Sequence, residues 1–304
     1  MALLLFVLVV AFIKPSMFRL RSLEGLLRQS ADIAVIVFPF ALLVMAGSVD
    51  LSVGSVSAFC AIIITQAAHK FGFFPGILIG MITGISIGLI NGLLVSYLRL
   101  NPVVTTLGGL TLWQGISLIL TNAKTVGMGS IPSIVLDYGI GINRILFMPI
   151  HFYVLLMTYI LFWALAHKHK FGERALAIGG AEKAAFLVGI DVKMTKLIAH
   201  ALTGLGAALA GLMMLIRSGA AHGSDGDGLE FKVLTIVLLG GVSFQGGQGR
   251  MFSVLISLFF IIFLQSSLVM LRTPIYYQYM SSGILIILAL LMESFVRNKS
   301  LMIS

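Results

Sequence analysis

Long apolar runs separated by short polar loops dominate the chain up to about residue 296. The runs do not alternate apolar and polar positions as a half-buried strand would, so they predict helices. An apolar run of about 20 residues is long enough to cross the hydrocarbon core of a bilayer. The predicted spans lie near residues 1–13, 31–47, 52–68, 74–98, 102–120, 147–166, 194–216, 229–244, 251–271 and 276–296.

The composition agrees with a membrane protein and excludes an ordinary soluble domain. Hydrophobic residues make up 59% of the chain and charged residues only 10%, whereas a soluble domain has about 25% charged residues. Backbone polar groups in lipid must be paired internally, which helices achieve. We therefore predict an all-α polytopic membrane protein with about ten transmembrane helices, in which residues 1–304 form a single domain. The run at 1–13 is short for a full span, and we expect a tilted, shortened helix or the remnant of a longer one.

The basic residues suggest an orientation in the membrane. The net charge of +9 is spread over the loops, which is typical of membrane topology rather than of nucleic-acid binding. The loop at 167–196 is the most basic, with Lys168, Lys170, Arg174, Lys183, Lys193 and Lys196. Cytoplasmic loops are enriched in Lys and Arg, so we predict that this loop is cytoplasmic. The segment LRSLEGLLRQS (20–30) then lies outside, where its leucines predict a helix lying flat on the membrane surface.

One predicted span carries a regular stripe of small residues. Glycines recur at every fourth position in PGILIGMITGISIGLING, at Gly76, Gly80, Gly84, Gly88 and Gly92. Such a stripe lets two helix backbones approach closely in lipid. A glycine-lined permeation path would be the alternative, and helix packing is the better interpretation.

Several motifs of catalysis and nucleotide binding are missing from the chain. It contains no H-E-x-x-H, C-x-x-C or G-x-x-x-x-G-K-[ST] motif, so we predict no enzyme activity, no metal site and no cofactor bound by this chain. The single cysteine, Cys60, lies in an apolar span and is interpreted as a small core residue.

Ionisable residues inside the predicted spans are few. Ion-driven carriers usually place carboxylates near the middle of the membrane, and we expect none there. We interpret His200 as hydrogen-bonded at a helix interface, Asp50 as the N-terminal cap of the third span, and Asp227 as the cap of the eighth, with Glu230 in its first turn. These features predict a passive pathway whose energy comes from another subunit.

Five ordered blocks carry a resemblance to a known family. They are GSVDLSVGSVSAF (47–59), NPVVTTLGGLTLWQGISLILTN (101–122), FGERALAIGGAEKAAFLVGID (171–191), DGLEFKVLTIVLLGGVSFQGGQG (227–249) and RTPIYYQ (272–278). Together they resemble the permease subunit of bacterial ABC sugar importers of the ribose/autoinducer-2 branch. The resemblance runs from about residue 20 to residue 297.

The resemblance implies a multi-pass protein of the bacterial inner membrane that acts with several partners. A second permease chain, identical or paralogous, would complete a dimer. Separate ATPase subunits would bind ATP and magnesium, and a periplasmic sugar-binding protein would deliver the solute. The alternative from another class is a stand-alone channel or secondary carrier for a small polar solute. Neither the solute nor the choice between homodimer and heterodimer follows from the sequence.

The resemblance also implies that the segment 179–191 forms a short cytoplasmic coupling helix seated in a groove of the ATPase. Small residues would allow close contact and a phenylalanine would anchor it. The broad importer motif E-A-A-x-x-x-G is out of register here, because Lys183 holds its Glu position. The expected ATPase contacts are Glu182, Ala184, Ala185, Phe186 and Gly189. A simple amphipathic turn resting on the membrane is the alternative.

The solute path is predicted from polar residues within the spans. A sugar needs hydrogen-bond donors and acceptors, and in a bilayer these are costly unless they line a cavity. Each candidate could equally make an interhelical hydrogen bond. The candidates are Asn91, Asn101, Thr105, Thr106, Trp113, Gln114, Gln265 and Ser266.

Overall fold

Most of the chain that the structure describes is helical. The computed structural model describes residues 14–129, 131–132, 135, 137 and 144–301, so the predicted span at 1–13 lies outside the described residues. The helices are α1 (Leu20–Met45), α2 (Val53–Phe71), α3 (Phe73–Gly92), α4 (Pro102–Thr121), α5 (Ile150–His167), α6 (Lys170–Gly180), α7 (Glu182–Leu187), α8 (Val192–Ser218), α9 (Leu229–Leu239), α10 (Met251–Met270) and α11 (Ile275–Leu301). A 3₁₀ turn (Pro15–Phe18) precedes α1, and a π-helical turn (Leu93–Tyr97) follows α3.

Within the described residues, four two-residue strands form two small antiparallel pairs in the connecting loops. They are β1 (Val126–Gly127), β2 (Arg144–Ile145), β3 (Met148–Pro149) and β4 (Ala220–Ala221). Strand β1 pairs with β4, and β2 pairs with β3. The first pair ties the loop after α4 to the end of α8.

Six of the described helices are long and apolar enough to cross a membrane. They are α1, α3 with its π-helical extension, α4, α5, α8 and α10. Helix α2 has 19 residues but is less apolar, and α11 contains a shorter apolar stretch, Tyr276–Leu291. The fold is thus that of a helical membrane protein, and the expected number of about ten spans stays a prediction.

Helix α9 is shorter than predicted. The expected span at 229–244 is helical only over the 11 residues Leu229–Leu239. It ends because Gly240 caps it and Gly241 turns the chain with a φ of +76°. Eleven residues span about 16 Å, roughly half of the hydrocarbon core of about 30 Å. Helix α9 therefore reaches only part of the way across the bundle.

The predicted surface helix at 20–30 is also corrected. These residues form the first turns of the continuous helix α1. Nothing in LRSLEGLLRQS breaks the helix before the apolar run begins, since it contains no proline and its one glycine, Gly25, lies in open space. The charged turns and the apolar span share one axis.

Helices α1 and α8 form the centre of the bundle. All residues of α1 from Ser30 to Met45 are buried, and α1 packs against α8, α5, α10 and α9. Helix α8 also packs against α2 and most extensively against α3. A helix that is apolar on all sides, as α1 is here, belongs in such a central position.

The glycine stripe lies on the face of α3 that packs between α2 and α8, and all five glycines are buried. A Cβ added at Gly84 would lie 2.5 Å from the carbonyl oxygen of Gly204 and 2.7 Å from the Cβ of Ala208, both on α8. Toward the other end of the stripe, a Cβ at Gly76 would lie 2.8 Å from the carbonyl oxygen of Ile64 on α2. The stripe thus permits backbone contact with two helices.

Candidate functional site

The segment predicted to couple to an ATPase forms two short helices beside the end of α1. Helix α6 buries Phe171, Ala175 and Ile178 on one face. Its Gly179 lies against the backbone of Met45 and of the loop at 246–247, where an added Cβ would overlap. Contact this close fixes the end of α6 rigidly to the bundle.

Helix α7 closes with a Schellman turn at Gly189. The Ile190 N–H donates to the carbonyl oxygen of Ala185 (3.1 Å), and the Gly189 N–H donates to that of Phe186 (3.0 Å). Gly189 has a φ of +84°, a conformation that favours glycine. The hydrophobic contact that often accompanies this motif is present, because Ala185 and Ile190 cluster with Ile178 and Val192.

The tip of α7 exposes three consecutive apolar side chains. Phe186, Leu187 and Val188 are 70%, 82% and 76% exposed. Contiguous apolar surface next to charged loop residues is typical of an interaction site. The turn at Gly189 holds this patch away from the bundle.

The five residues predicted to contact the ATPase differ in how exposed their side chains are. Ala184, Phe186 and Gly189 are exposed, whereas Ala185 is only 3% exposed because it packs inside its own chain. Glu182 makes an ion pair with Lys196 of α8 (2.6 Å). A direct ATPase contact through Ala185 is therefore wrong, since its side chain faces inward.

Three predicted path residues stabilise the start of α4. Asn101 is the N-cap, and its side chain accepts from the N–H groups of Val103 and Val104. Thr105 donates its hydroxyl proton to the Asn101 carbonyl (2.8 Å). Thr106 is fully buried and accepts from the Leu51 N–H (2.9 Å). Each has a structural hydrogen bond.

Further along α4, two predicted path residues contact other elements. The ring of Trp113 packs against that of Phe59, with centroids 5.2 Å apart. The side-chain amide of Gln114 donates to Asp227 (2.8 Å). Asp227 was expected to cap α9, but Gly228 occupies the cap position, so that prediction is wrong.

The last two predicted path residues lie on α10. The Gln265 amide donates to Ser282 of α11 at 3.4 Å, and Ser266 donates to Gln29 of α1 at 3.3 Å. Two of the eight candidates come close together, because Thr106 and Asn91 both hydrogen-bond the segment 51–52. The other six occupy separate places: the start of α4, its later turns beside Phe59 and Asp227, and α10.

Asn91 belongs to a buried polar cluster around Asp50, which is only 2% exposed. Asp50 accepts from the Ser52 N–H (2.9 Å) and from the Asn91 amide (3.0 Å). His200 of α8 lies 3.8 Å from Asp50 and hydrogen-bonds Ser48 (3.0 Å). Asp50 was expected to cap α2, but Ser52 occupies the cap position, so that prediction is wrong. Asp50 instead ties the α1–α2 loop to α3 and α8. His200 is hydrogen-bonded at a helix interface.

Helices α2 and α9 both begin inside the bundle, and their first turns meet. The backbones of Gly54 and Gly226 touch, since a Cβ on either would overlap the carbonyl oxygen of the other. Glu230, only 4% exposed, accepts from the Gly228 N–H (3.3 Å). Carboxylates at helix N-termini complement the positive end of the helix dipole. Broken helices that meet in this way surround binding sites in many transporters.

Sequence reasoning missed one buried carboxylate, Asp32. It lies inside the bundle, as do Asp50 and Glu230, which the sequence had placed at the starts of helices. The expectation of no carboxylate near the middle of the membrane stays a prediction. Asp32 faces Arg217 of α8 at 3.6 Å. The available signal was the acid in SADIAVIVF, because a charge adjoining an apolar run of a spanning helix needs a partner.

Comparison with known proteins gives a consistent assignment. The family model described as branched-chain amino acid transport system / permease component matches residues 22–290. The ribose import permease of Bacillus subtilis is 33% identical, covering 99% of this chain and 92% of the relative. The ribose import permease of Escherichia coli K12 is 30% identical, covering 96% of this chain and 92% of the relative. An autoinducer 2 import system permease of Yersinia pseudotuberculosis is 28% identical over 93% and 87%.

No solved structure gives a significant match to the chain. The family match covers most of the sequence, and the relatives align along nearly their whole length. The six apolar helices suit a membrane permease. The chain belongs to the family of permease components of branched-chain amino acid transport systems.

Proposed function

We propose that this chain forms the membrane pathway of an ATP-driven importer for a sugar or sugar-like solute. Two kinds of solute are named by the comparisons. The ribose and autoinducer 2 import permeases align over nearly the whole chain, whereas the family description names branched-chain amino acids. The hydrogen-bonding side chains on α10 and the Asp227 loop suit a hydroxylated solute better than an aliphatic one. The chain is an integral membrane protein of the bacterial inner membrane.

The exposed tip of α7 carries the proposal. Phe186, Leu187 and Val188 project from the loop that the positive-inside rule places in the cytoplasm. A rigidly held apolar tip fits a groove on a partner, because aromatic and aliphatic anchors dominate interface energies. We assign this groove to a separate ATPase subunit, on which ATP and magnesium would bind. A periplasmic binding protein and a second permease chain complete the proposed complex.

Uptake by a Phe186→Asp variant tests this assignment. Cells producing the permease with its ATPase and binding protein should take up labelled D-ribose at least about tenfold more slowly when Phe186 is Asp, because losing one anchor costs about 2 kcal/mol or more. The amount of permease in the membrane should not change, since Phe186 is mostly exposed.

Phe147→Asp is the matched control, because Phe147 is 90% exposed in the turn between β2 and β3. It should leave ATP-driven uptake near the wild-type rate. Equal uptake by the Phe186 and Phe147 variants would show that α7 does not transmit the ATPase motion.

The buried carboxylates favour a second candidate, a stand-alone secondary carrier. Ionisable groups inside a membrane bundle often serve ion coupling, and Asp32 and Asp50 are such groups. Proteoliposomes that contain only this chain separate the two functions. Sustained sugar flux driven by an ion gradient would establish the carrier, and flux that requires the ATPase and ATP would establish the importer.

A further inference from the structure

A cavity of about 810 Å³ opens between α1, α8, α9, α10 and α11. Its wall includes the loop that leads into α9, so the cavity adjoins the first turn of this half-length helix. Ligand pockets typically measure about 300–1,000 Å³. The cavity is large enough for a monosaccharide with several water molecules.

Asp32 of α1 is the most deeply buried polar group of the wall. Its side chain is only 7% exposed, and its Oδ2 atom accepts no hydrogen bond. The nearest cation is the Nε of Arg217, at 3.6 Å, which is beyond hydrogen-bonding distance. A buried carboxylate oxygen without a donor is costly. This atom is therefore available for a donor that a ligand brings.

The charged groups of the wall nearly balance one another. Asp32, Asp225 and Asp227 supply negative charge, and Arg217 and Lys232 supply positive charge. An anionic ligand would meet three carboxylates, and a cationic ligand would meet two cations. A neutral ligand with many hydroxyl groups avoids both conflicts, because each hydroxyl donates to a carboxylate and accepts from an ammonium or guanidinium group.

The remaining wall residues suit the same chemistry. Side-chain amides come from Gln29, Gln265 and Gln278, on three different helices. The ring of Phe231 is 46% exposed and also borders the cavity. By contrast, a second cavity of about 800 Å³ beside α5 and α8 is lined almost wholly by aliphatic side chains. It offers few hydrogen bonds to a sugar.

We propose that the cavity bordered by Asp32, Arg217 and Lys232 is a subsite for a neutral polyhydroxylated solute, with Asp32 Oδ2 accepting a solute hydroxyl proton. This proposal rests on the proposed importer function. It places part of the solute pathway within a single permease chain. Of the residues predicted as a solute path, only Gln265 borders it.

Protection of an introduced cysteine tests the subsite in the full-length chain. The only native cysteine, Cys60, is fully buried, so it should stay unlabelled by a small water-soluble thiol reagent. Gly283→Cys places a thiol on the cavity wall, where a Cβ meets nothing within 4 Å. Gly127→Cys is the matched control, because its Cβ also meets open space in β1, away from the cavity.

D-Ribose, D-xylose or D-galactose should slow labelling of Gly283→Cys and leave Gly127→Cys unchanged. At a sugar concentration about five times the dissociation constant, labelling should slow about sixfold, because only the unoccupied fraction reacts. Ribose 5-phosphate should protect far less. Adding Asp32→Asn should abolish protection, and Lys232→Met, which leaves the carboxylate in place, should weaken it.

The subsite is wrong if none of the three neutral sugars protects Gly283→Cys, or if protection survives Asp32→Asn unchanged. Equal protection by ribose 5-phosphate would overturn the neutral class. ATP-driven uptake is measured in parallel. If ATP-driven uptake is normal but no sugar protects Gly283→Cys, the proposed subsite is wrong and the importer function stands. If a sugar protects Gly283→Cys but uptake needs no ATPase, the subsite stands and the importer function is wrong.

Discussion

Replacing Gly84 with alanine should destabilise the bundle, although alanine is normally the better helix former. The new Cβ would lie 2.7 Å from the Ala208 Cβ, and an ordinary contact begins at 3.4 Å. The Gly204 carbonyl oxygen lies nearer still, so helices α3 and α8 would have to separate by about 0.9 Å, and overpacking of this kind costs about 1–3 kcal/mol. Backbone atoms form the other side of the contact, since the Gly204 carbonyl lies 2.5 Å away, so no side chain can rotate to relieve it.

Gly108→Ala is the matched control within another spanning helix. A Cβ at Gly108 meets nothing within 4 Å, so alanine there should stabilise the protein by about 0.5–1 kcal/mol through the lower entropy of the unfolded chain. Equilibrium unfolding in mixed micelles, followed by the fluorescence of Trp113 and Trp163, measures both changes. The free energy of unfolding should fall in Gly84→Ala and rise in Gly108→Ala. A Gly84→Ala variant as stable as Gly108→Ala would refute backbone contact between α3 and α8.

Three further substitutions have expected outcomes. Asp50→Ala should lower the free energy of unfolding by about 3 kcal/mol, because the Ser52 N–H and the Asn91 amide would lose a buried acceptor. An unchanged free energy of unfolding would show that the hydrogen bonds around Asp50 do not stabilise the protein. Ala185→Asp should reduce the amount of folded permease in the membrane, not merely its uptake, since Ala185 is buried; normal abundance would contradict the inward placement. Partial burial raises the pKa of Asp227 above its ordinary value, and the charge of Asp225 adds to this. The folded state then binds more protons, so stability from this group falls as the pH rises from about 3.8 through the folded pKa. Asp227→Asn should flatten this part of the pH profile and keep an acceptor for Gln114, and an unchanged profile would exclude the effect.

Hydrophobic patterning was sufficient to predict the fold class and most of the helices. The long runs at 102–120, 147–166, 194–216 and 251–271 correspond closely to helices of the structure, because lipid leaves a long apolar segment almost no other way to pair its backbone. The pattern could not predict where α9 ends, since a mostly buried half-length helix and a complete span are equally apolar. The glycines at 240–241 were the only local indication.

The candidate site was less predictable from the sequence. The small, soluble-looking segment at 179–191 was correctly singled out as a short helix, but its register around the turn decides which side chains face outward. Ala185 and Phe186 are neighbours in sequence, and one is buried while the other is 70% exposed. The partners of Asp50 lie 41 and 150 residues further along the chain. Only the packing of α3 and α8 brings them to it.

The length of α8 has a mechanical consequence. Its 27 residues extend for about 40 Å, from Val192 just after α7 to Arg217 at the cavity wall. For a lever of this length, a tilt of about 5° at one end moves the other by about 3.5 Å. Because the glycine contacts hold α3 against α8, the two helices would tilt together. A tilt of α8 about its Val192 end would therefore change the width of the cavity at Arg217.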